Sequence, residues 1–366
     1  MLSSIKIIDL SRVLAGPVCT MMLGDMGAQV IKIERPVEGD ETRGWGPPFD
    51  ENGESAYYLS VNRNKLSVAV DLDAAVDRDF LERLISDADV VVENFRPGVL
   101  SRRGLDAEQV RARHARLVWC TIAGFAEAAS RPGYDFVVQA ESGWMSITGE
   151  PEGAPVKHGI ALVDVMAGKD AAIAVLGALV ARGVTGVGRL VTVHLSTTAE
   201  AALVNVAQNT LVSGTAPRRW GNAHANLVPY QLFEAFDRAV VIAAGSDAQW
   251  LACAKALNLD ELAADEALRT NAGRLAQRER VVAAIAARMR ERPAAEWQSR
   301  LDAAGVPNGV VRTVTEVLAG CSASRETGMP PSVPGSVRLR PPTLGQHSEL
   351  VRELGWKAFE SDRLAV

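Results

Sequence analysis

The sequence predicts an α/β protein, with a doubly wound (Rossmann-like) parallel-sheet large domain plus a smaller α+β domain. Three observations carry this. The first 34 residues run strand–helix–strand, the size of one βαβ unit. ADVVVENF (88–95) and ARLVWCTIAGF (115–125) are near-continuous apolar runs, the kind of strand that a parallel sheet buries on both faces. LFEAFDRAVVIAAGS (232–246) has the pattern of an antiparallel hairpin, which marks a different architecture in the second half.

Taken in order, SIKIIDL (4–10) is a short strand, and a turn with Gly16-Pro17 leads into a helix over 19–27. AQVIKIE (28–34) and KLSVAVDL (65–72) are the next strands. Phe80, Leu81, Leu84 and Ile85 give residues 75–88 one apolar face at helical spacing. Strands at 88–95 and 115–125 follow, then a strongly apolar helical run after residue 164 and a strand at 188–195. The segment 197–213 is helical, helices fill 247–303, and 322–342 is rich in Ser, Pro and Gly, as a linker is. The expected division is therefore a large domain over 1–200, a helical linker over 201–221, a small domain over 222–322 and a tail over 323–366 that returns to the first. In a sheet of this kind ligands sit beyond the carboxyl ends of the strands, so the turns after Leu10, Ile33, Val92 and Ile122 are where chemistry is expected.

Composition narrows the function. The formal net charge is -5, with 48% hydrophobic and 23% charged residues, and no Lys/Arg-rich block occurs. Nucleic acid and membrane are therefore not expected partners. No apolar run approaches the roughly 18 residues of a membrane span, and the N-terminus lacks the apolar core of a signal peptide. Cys19, Cys120, Cys253 and Cys321 form no CxxC pair and fit reduced thiols of a cytoplasmic protein. The five histidines show no metal-ligand spacing, so no metal is expected. GVTGVGRL (183–190) precedes a strand rather than following one, the wrong order for a dinucleotide fingerprint.

One carboxylate stands out. Asp164 lies in GIALVDVMAG (159–168), among apolar residues and ahead of the apolar helix. A buried carboxylate without a partner is costly. Asp164 is either an N-cap of that helix or a nucleophile kept ionised by the helix dipole, and the two roles are compatible. Just upstream, PGYDFVVQAESGWMSITGEP (132–151) carries Gly133, Gly143 and Gly149, which suggests tight turns or close approach to a ligand.

In order along the chain, LSRVLAGP (10–17), VIKIERPVEGD (30–40), VVENFRPGVLSRRGLD (91–106), the 132–151 segment and the Asp164 segment resemble the class III CoA-transferases. That family includes formyl-CoA transferase and carnitine CoA-transferase, with α-methylacyl-CoA racemase as a relative. GNAHANLVPYQLFEAFD (221–237), AAGVPNGVV (303–311) and PPTLGQHSELVRELG (341–355) match later family segments, so the likeness spans nearly the whole chain.

The resemblance implies a CoA-binding large domain, an interlocked homodimer and transfer of CoA from an acyl-CoA to a small carboxylic acid, with coenzyme A as substrate and no tightly bound cofactor. It implies that Asp164 is the nucleophile, passing through an anhydride and an aspartyl-CoA thioester. It places Val13, Leu14, Ala15, Arg35, Val70, Asn94, Phe95 and Arg102 against CoA, the arginines on its phosphates. Gly133 and Tyr134 fall in the substrate pocket. Formyl-CoA transferase has glutamine and lysine where this chain has Leu14 and Pro132, which points away from formate and oxalate; it has a lysine where this chain has Asp73, so that lysine's CoA contact is not carried over. The racemases have a histidine in the place of Tyr134, and a tyrosine is a poor base at neutral pH. The leading expectation is a transferase using small dicarboxylates such as succinate; a racemase, or a non-catalytic CoA-binding protein of the same fold, are the alternatives.

Overall fold

A computed structural model describes residues 1–128 and 130–364. The chain forms two compact units. The first contains Met1–Trp144, Lys157–Ser213 and Cys321–Val366; the second contains Met145–Val156 and Gly214–Gly320.

The first unit is built on a six-stranded parallel sheet of order β3-β2-β1-β4-β5-β6. The strands are β1 (Lys6–Asp9), β2 (Gln29–Glu34), β3 (Lys65–Ala69), β4 (Val90–Glu93), β5 (Val118–Ala123) and β6 (Leu190–His194). β1 pairs with β2 on one side (Ile7 opposite Val30) and with β4 on the other (Ile7 opposite Val90), so the strand order reverses there. Successive residues of each strand feed opposite faces. Ile7, Val30, Val90 and Val118 join one core with the helices Ala15–Asp25 and Leu162–Thr185. Ile8, Ile31, Val91 and Trp119 join the other with Phe80, Leu81, Val351 and Trp356.

Several elements differ from the sequence-based ranges. The first helix starts at Ala15 rather than residue 19, with Pro17 in its first turn, where a missing N–H costs nothing. The 197–213 segment is two helices, Leu195–Ala201 and Val204–Ser213. The helix after residue 161 is 24 residues long. It lies close against the first because residue 168 is glycine. A Cβ there would sit 2.5 Å from the Ala15 carbonyl oxygen and 2.9 Å from Val18.

The second unit holds the expected hairpin, β7 (Tyr230–Glu234) antiparallel to β8 (Ala239–Ala243), plus a third strand, β9 (Asn308–Val310), on β8. β9 is three residues long, too short to carry a periodic signal. Its core combines Phe233, Val240, Ile242, Trp250, Ile285 and Trp297. Residues 145–156, expected within the 1–200 domain, belong to this unit. Arg219 donates to the carbonyls of Glu150 and Gly153 at 3.1 and 2.6 Å, and the Gly221 N–H donates to Gly149 at 3.1 Å. Conversely, residues 201–213 pack with the first unit. Among the described residues no helix is long and apolar enough to cross a membrane.

Candidate active site

A cleft of about 550 Å³ opens in the first unit at the carboxyl ends of the strands. Val13, Leu14 and Ala15 reach it from the turn after β1, Arg35 from the turn after β2 and Val70 from the end of β3. Asn94 and Phe95 reach it after β4, and Gly133, Tyr134 and Asp164 complete the set. Of the residues assigned to CoA, Arg102 is the one that does not line the cleft; its neighbour Arg103 does.

The turn after β1 is held from both sides. Asn94 donates its amide to the Arg12 carbonyl at 2.7 Å and accepts the Arg12 N–H at 2.9 Å, so this side chain shapes the loop. Asp40 accepts the Val13 N–H at 3.3 Å. Between these anchors Val13 sits at φ 69°, a left-handed conformation that a β-branched residue adopts only under constraint. The helix Ala15–Asp25 begins immediately afterwards.

A buried ionic network that sequence reasoning missed supports this loop. Lys32, inside β2, and Lys65, the first residue of β3, are fully buried. Lys32 donates to the Ser11 carbonyl at 2.8 Å and to Asp40 at 3.1 Å. Lys65 donates to Asp9 at 3.0 Å, to the Pro17 carbonyl at 3.1 Å and to Asn62 at 3.0 Å. Asp9 also accepts from Thr20 at 2.6 Å and from the Ser11 N–H at 2.9 Å. Burial alone would raise the Asp9 carboxyl, but Lys65, Lys32 and the two hydroxyls outweigh it and bring it down to about 2. The signal available in sequence was a lysine at a both-faces-buried strand position, in VIKIE and KLSVA.

Asp164 has the opposite environment. It lies in the first turn of its helix, whose N-cap is Ala161, so Asp164 is not the cap. The capping carboxylate is Asp135, 29 positions earlier, which accepts the N–H of Val163 at 2.8 Å and of Asp164 at 3.3 Å. Among the described residues no hydrogen bond reaches the Asp164 side chain, which is 9% exposed. Burial, together with the charge of Asp135, pushes its carboxyl up to about 7. The expectation that the helix dipole keeps Asp164 ionised is therefore corrected: Asp135 occupies the amides that would have done so.

Tyr57, also missed from sequence, packs beside this site with Leu14, Val18, Ala161 and Val165. Burial, then the charges of Asp164, Asp135 and Asp40, raise its hydroxyl to about 12, so it is neutral and able to donate. Tyr134 is 54% exposed and precedes the helix Asp135–Glu141. Gly133 lies backbone-to-backbone on Gly124; a Cβ on Gly133 would meet the Gly124 Cα at 2.2 Å. That contact brings the 131–134 segment against the end of β5.

The cleft also carries Arg12, Arg35, Arg96, Arg103 and Arg131. Arg12 lies over the Phe95 ring at 5.0 Å and pairs with Glu41 at 3.1 Å, while Arg103 pairs with Asp73 at 2.9 Å. Glu34, Asp40, Glu41, Asp71 and Asp73 line the same cleft, so its arginines stand among carboxylates; a desolvated carboxylate beside such guanidiniums suits a ligand with phosphate groups and an electrophilic carbonyl.

The sequence profile of CoA-transferase family III matches residues 2–348. The chain belongs to CoA-transferase family III. This family III enzyme is 40% identical to a succinyl-CoA:glutarate CoA-transferase from Mus musculus, over 95% of this chain and 84% of that one. It is 39% identical to a succinate–glutarate CoA-transferase from Agrobacterium fabrum, over 87% and 82% of the two chains. The fold matches that of a CAIB/BAIF family protein from Brucella suis with a TM-score of 0.84 and 37% identity, covering 95% and 97% of the two chains.

Proposed function

We propose that this family III enzyme moves CoA from succinyl-CoA to a dicarboxylic acid of glutarate size, with Asp164 as nucleophile. The observation that carries the reading is the buried, unbonded Asp164 carboxylate in a cleft whose lining also carries five arginines. The relatives named for succinate and glutarate support the substrate class. An ionised Asp164 oxygen attacks the thioester carbonyl, and CoA leaves as thiolate, giving a mixed anhydride. The thiolate then attacks the Asp164 carbonyl, releasing succinate and leaving an aspartyl-CoA thioester. The acceptor carboxylate attacks that thioester to form a second anhydride. CoA thiolate reopens it at the acceptor carbonyl, freeing Asp164 and the new acyl-CoA.

In this reading, Arg35 and Arg103 at the turns after β2 and β4 meet CoA phosphates, and Val13, Leu14 and Ala15 meet the pantetheine arm. Val70 and Phe95 flank the nucleotide, and Asn94 acts by holding Arg12. Arg102 remains a candidate for the outer phosphates, reaching in from the rim. Gly133 and Tyr134 bound the acyl pocket. The enzyme works as an interlocked homodimer; exposed Ile173, Val180 and Val184 on the Leu162–Thr185 helix offer it an apolar surface. Four free cysteines fit a reducing, cytoplasmic setting.

The test is mass spectrometry of intact protein and peptides after incubation with succinyl-CoA and other acyl-CoAs. A CoA-sized adduct on the Asp164 peptide, absent in Asp164→Ala, is expected. Measurable CoA binding without any adduct overturns the nucleophile assignment.

A further inference from the structure

The carboxylate that caps the Asp164 helix comes from a different helix and is part of a second buried contact. Asp135 and Gln139 are four residues apart on the helix Asp135–Glu141, so they face the same way. They are 8% and 1% exposed. One Asp135 oxygen takes the N–H groups of Val163 and Asp164; the other accepts the Gln139 amide at 2.6 Å. The Gln139 carbonyl oxygen accepts the His158 N–H at 2.8 Å, and His158 Nδ1 accepts the Ile160 N–H at 3.3 Å. Two side chains thus grip the whole approach to the nucleophile, from residue 158 to residue 164.

We propose that Asp135, braced by Gln139, is a positioning residue that fixes the turn carrying Asp164 and supplies the negative charge against which that nucleophile works. This rests on the assignment of Asp164 as nucleophile. A carboxylate at a helix start is ordinarily stabilised by the free N–H groups. Here the N2 and N3 amides are spent on Asp135, so Asp164 stays short of partners. A more basic carboxylate is the better nucleophile toward a thioester once ionised.

Few other charges face Asp164. Tyr57 approaches from the Ala56–Leu59 helix, with Asp40 behind it, and Tyr134 and Arg131 share the cleft. The helix Ala15–Asp25 presents Ala15 and Val18, and its Asp25 is paired with Arg63. Cys19 and Cys120 are buried in the core beside it, and His194 ends β6. On the Asp164 helix itself Lys169 and Asp170 are exposed, and Asp170 is bonded by Thr198. Among the described residues, Asp135 is the one carboxylate that shares the Asp164 helix start.

The experiment is the pH dependence of aspartyl-CoA adduct formation at limiting succinyl-CoA, by quenched-flow mass spectrometry. Wild type is compared with Asp135→Asn, Asp135→Ser, Asp135→Glu and Gln139→Leu, each checked for folding by thermal melting. Removing the charge lets Asp164 ionise at lower pH. The acid limb in Asp135→Asn and Asp135→Ser is therefore expected to move down by at least about half a pH unit. It stays in place in Asp135→Glu and Gln139→Leu, where the charge remains, while Gln139→Leu forms adduct several-fold more slowly at every pH. A folded Asp135→Asn or Asp135→Ser whose limb coincides with wild type overturns the proposal. Absence of adduct in wild type at every pH instead overturns the nucleophile assignment beneath it.

Discussion

Two of the buried aspartates of the first unit, Asp9 and Asp164, have opposite fates. Asp9 is fully buried and meets Lys65, Thr20 and Ser11; its carboxyl is brought down to about 2. Asp164 is almost as buried, meets no donor on its side chain among the described residues, and is pushed up to about 7. The residue type is the same and the depth nearly so. What differs is whether the surroundings supply donors and opposite charge. The Asp9 network spends its charge on holding the turn after β1 in shape, whereas among the described residues the Asp164 carboxyl meets no partner of opposite charge, as the proposed nucleophile would need. This is the pattern expected where structure and chemistry are assigned to separate carboxylates.

Changes at four positions would break or sharpen this contrast. The largest effect is expected for Asp164→Ala, with turnover down about ten-thousand-fold or more in a steady-state CoA-transfer assay. Asp164→Asn should be equally inactive yet more stable. Because the folded-state value of Asp164 lies above its unfolded one, its contribution is favourable below about pH 4 and is lost as pH rises through about 7. Above that pH, melting of Asp164→Asn should show a gain of roughly 2–4 kcal/mol that vanishes in acid.

The opposite sign is expected on the other side. Lys65→Met strands the Asp9 charge and should cost about 3–5 kcal/mol in denaturant unfolding at neutral pH. Since Asp9 is depressed when folded, its contribution is present above about pH 4 and fades as pH falls through about 2, so acid should narrow the gap between variant and wild type.

Gly168→Ala tests the packing that joins the two regions. Its Cβ would press on the Ala15 carbonyl, so a loss of about 1–3 kcal/mol is expected, with a rise in the KM for acyl-CoA as the loop end shifts. The smallest effect belongs to Val13→Gly. Relief of the left-handed conformation should leave thermal stability within about 1 kcal/mol of wild type, while a looser loop weakens CoA binding in calorimetry.

Much of the scaffold was legible in the sequence because parallel strands buried on both faces leave continuous apolar runs, and because a βαβ unit has a fixed size. The turns after β1, β2 and β4 were legible as places where a cleft would open, because a parallel sheet leaves its crevice at the carboxyl ends of its strands. Lys32 and Lys65 were not, since a lysine in a strand gives no sign of a carboxylate waiting 8 or 56 positions away. The cap of the Asp164 helix stayed open in the sequence because capping is ordinarily local, and here it crosses from residue 135. Tyr57 lies in AYYL, a four-residue helix with no pattern of its own.

The sequence by itself determined the alternation of strands and helices, the turns where a ligand would lie and the one carboxylate out of place in an apolar run. Those are properties of neighbours along the chain, where periodicity and composition report burial. The tertiary structure alone decided which aspartate would be paired and which left bare, because hydrogen bonds and charges act through space and their partners stand tens of residues apart.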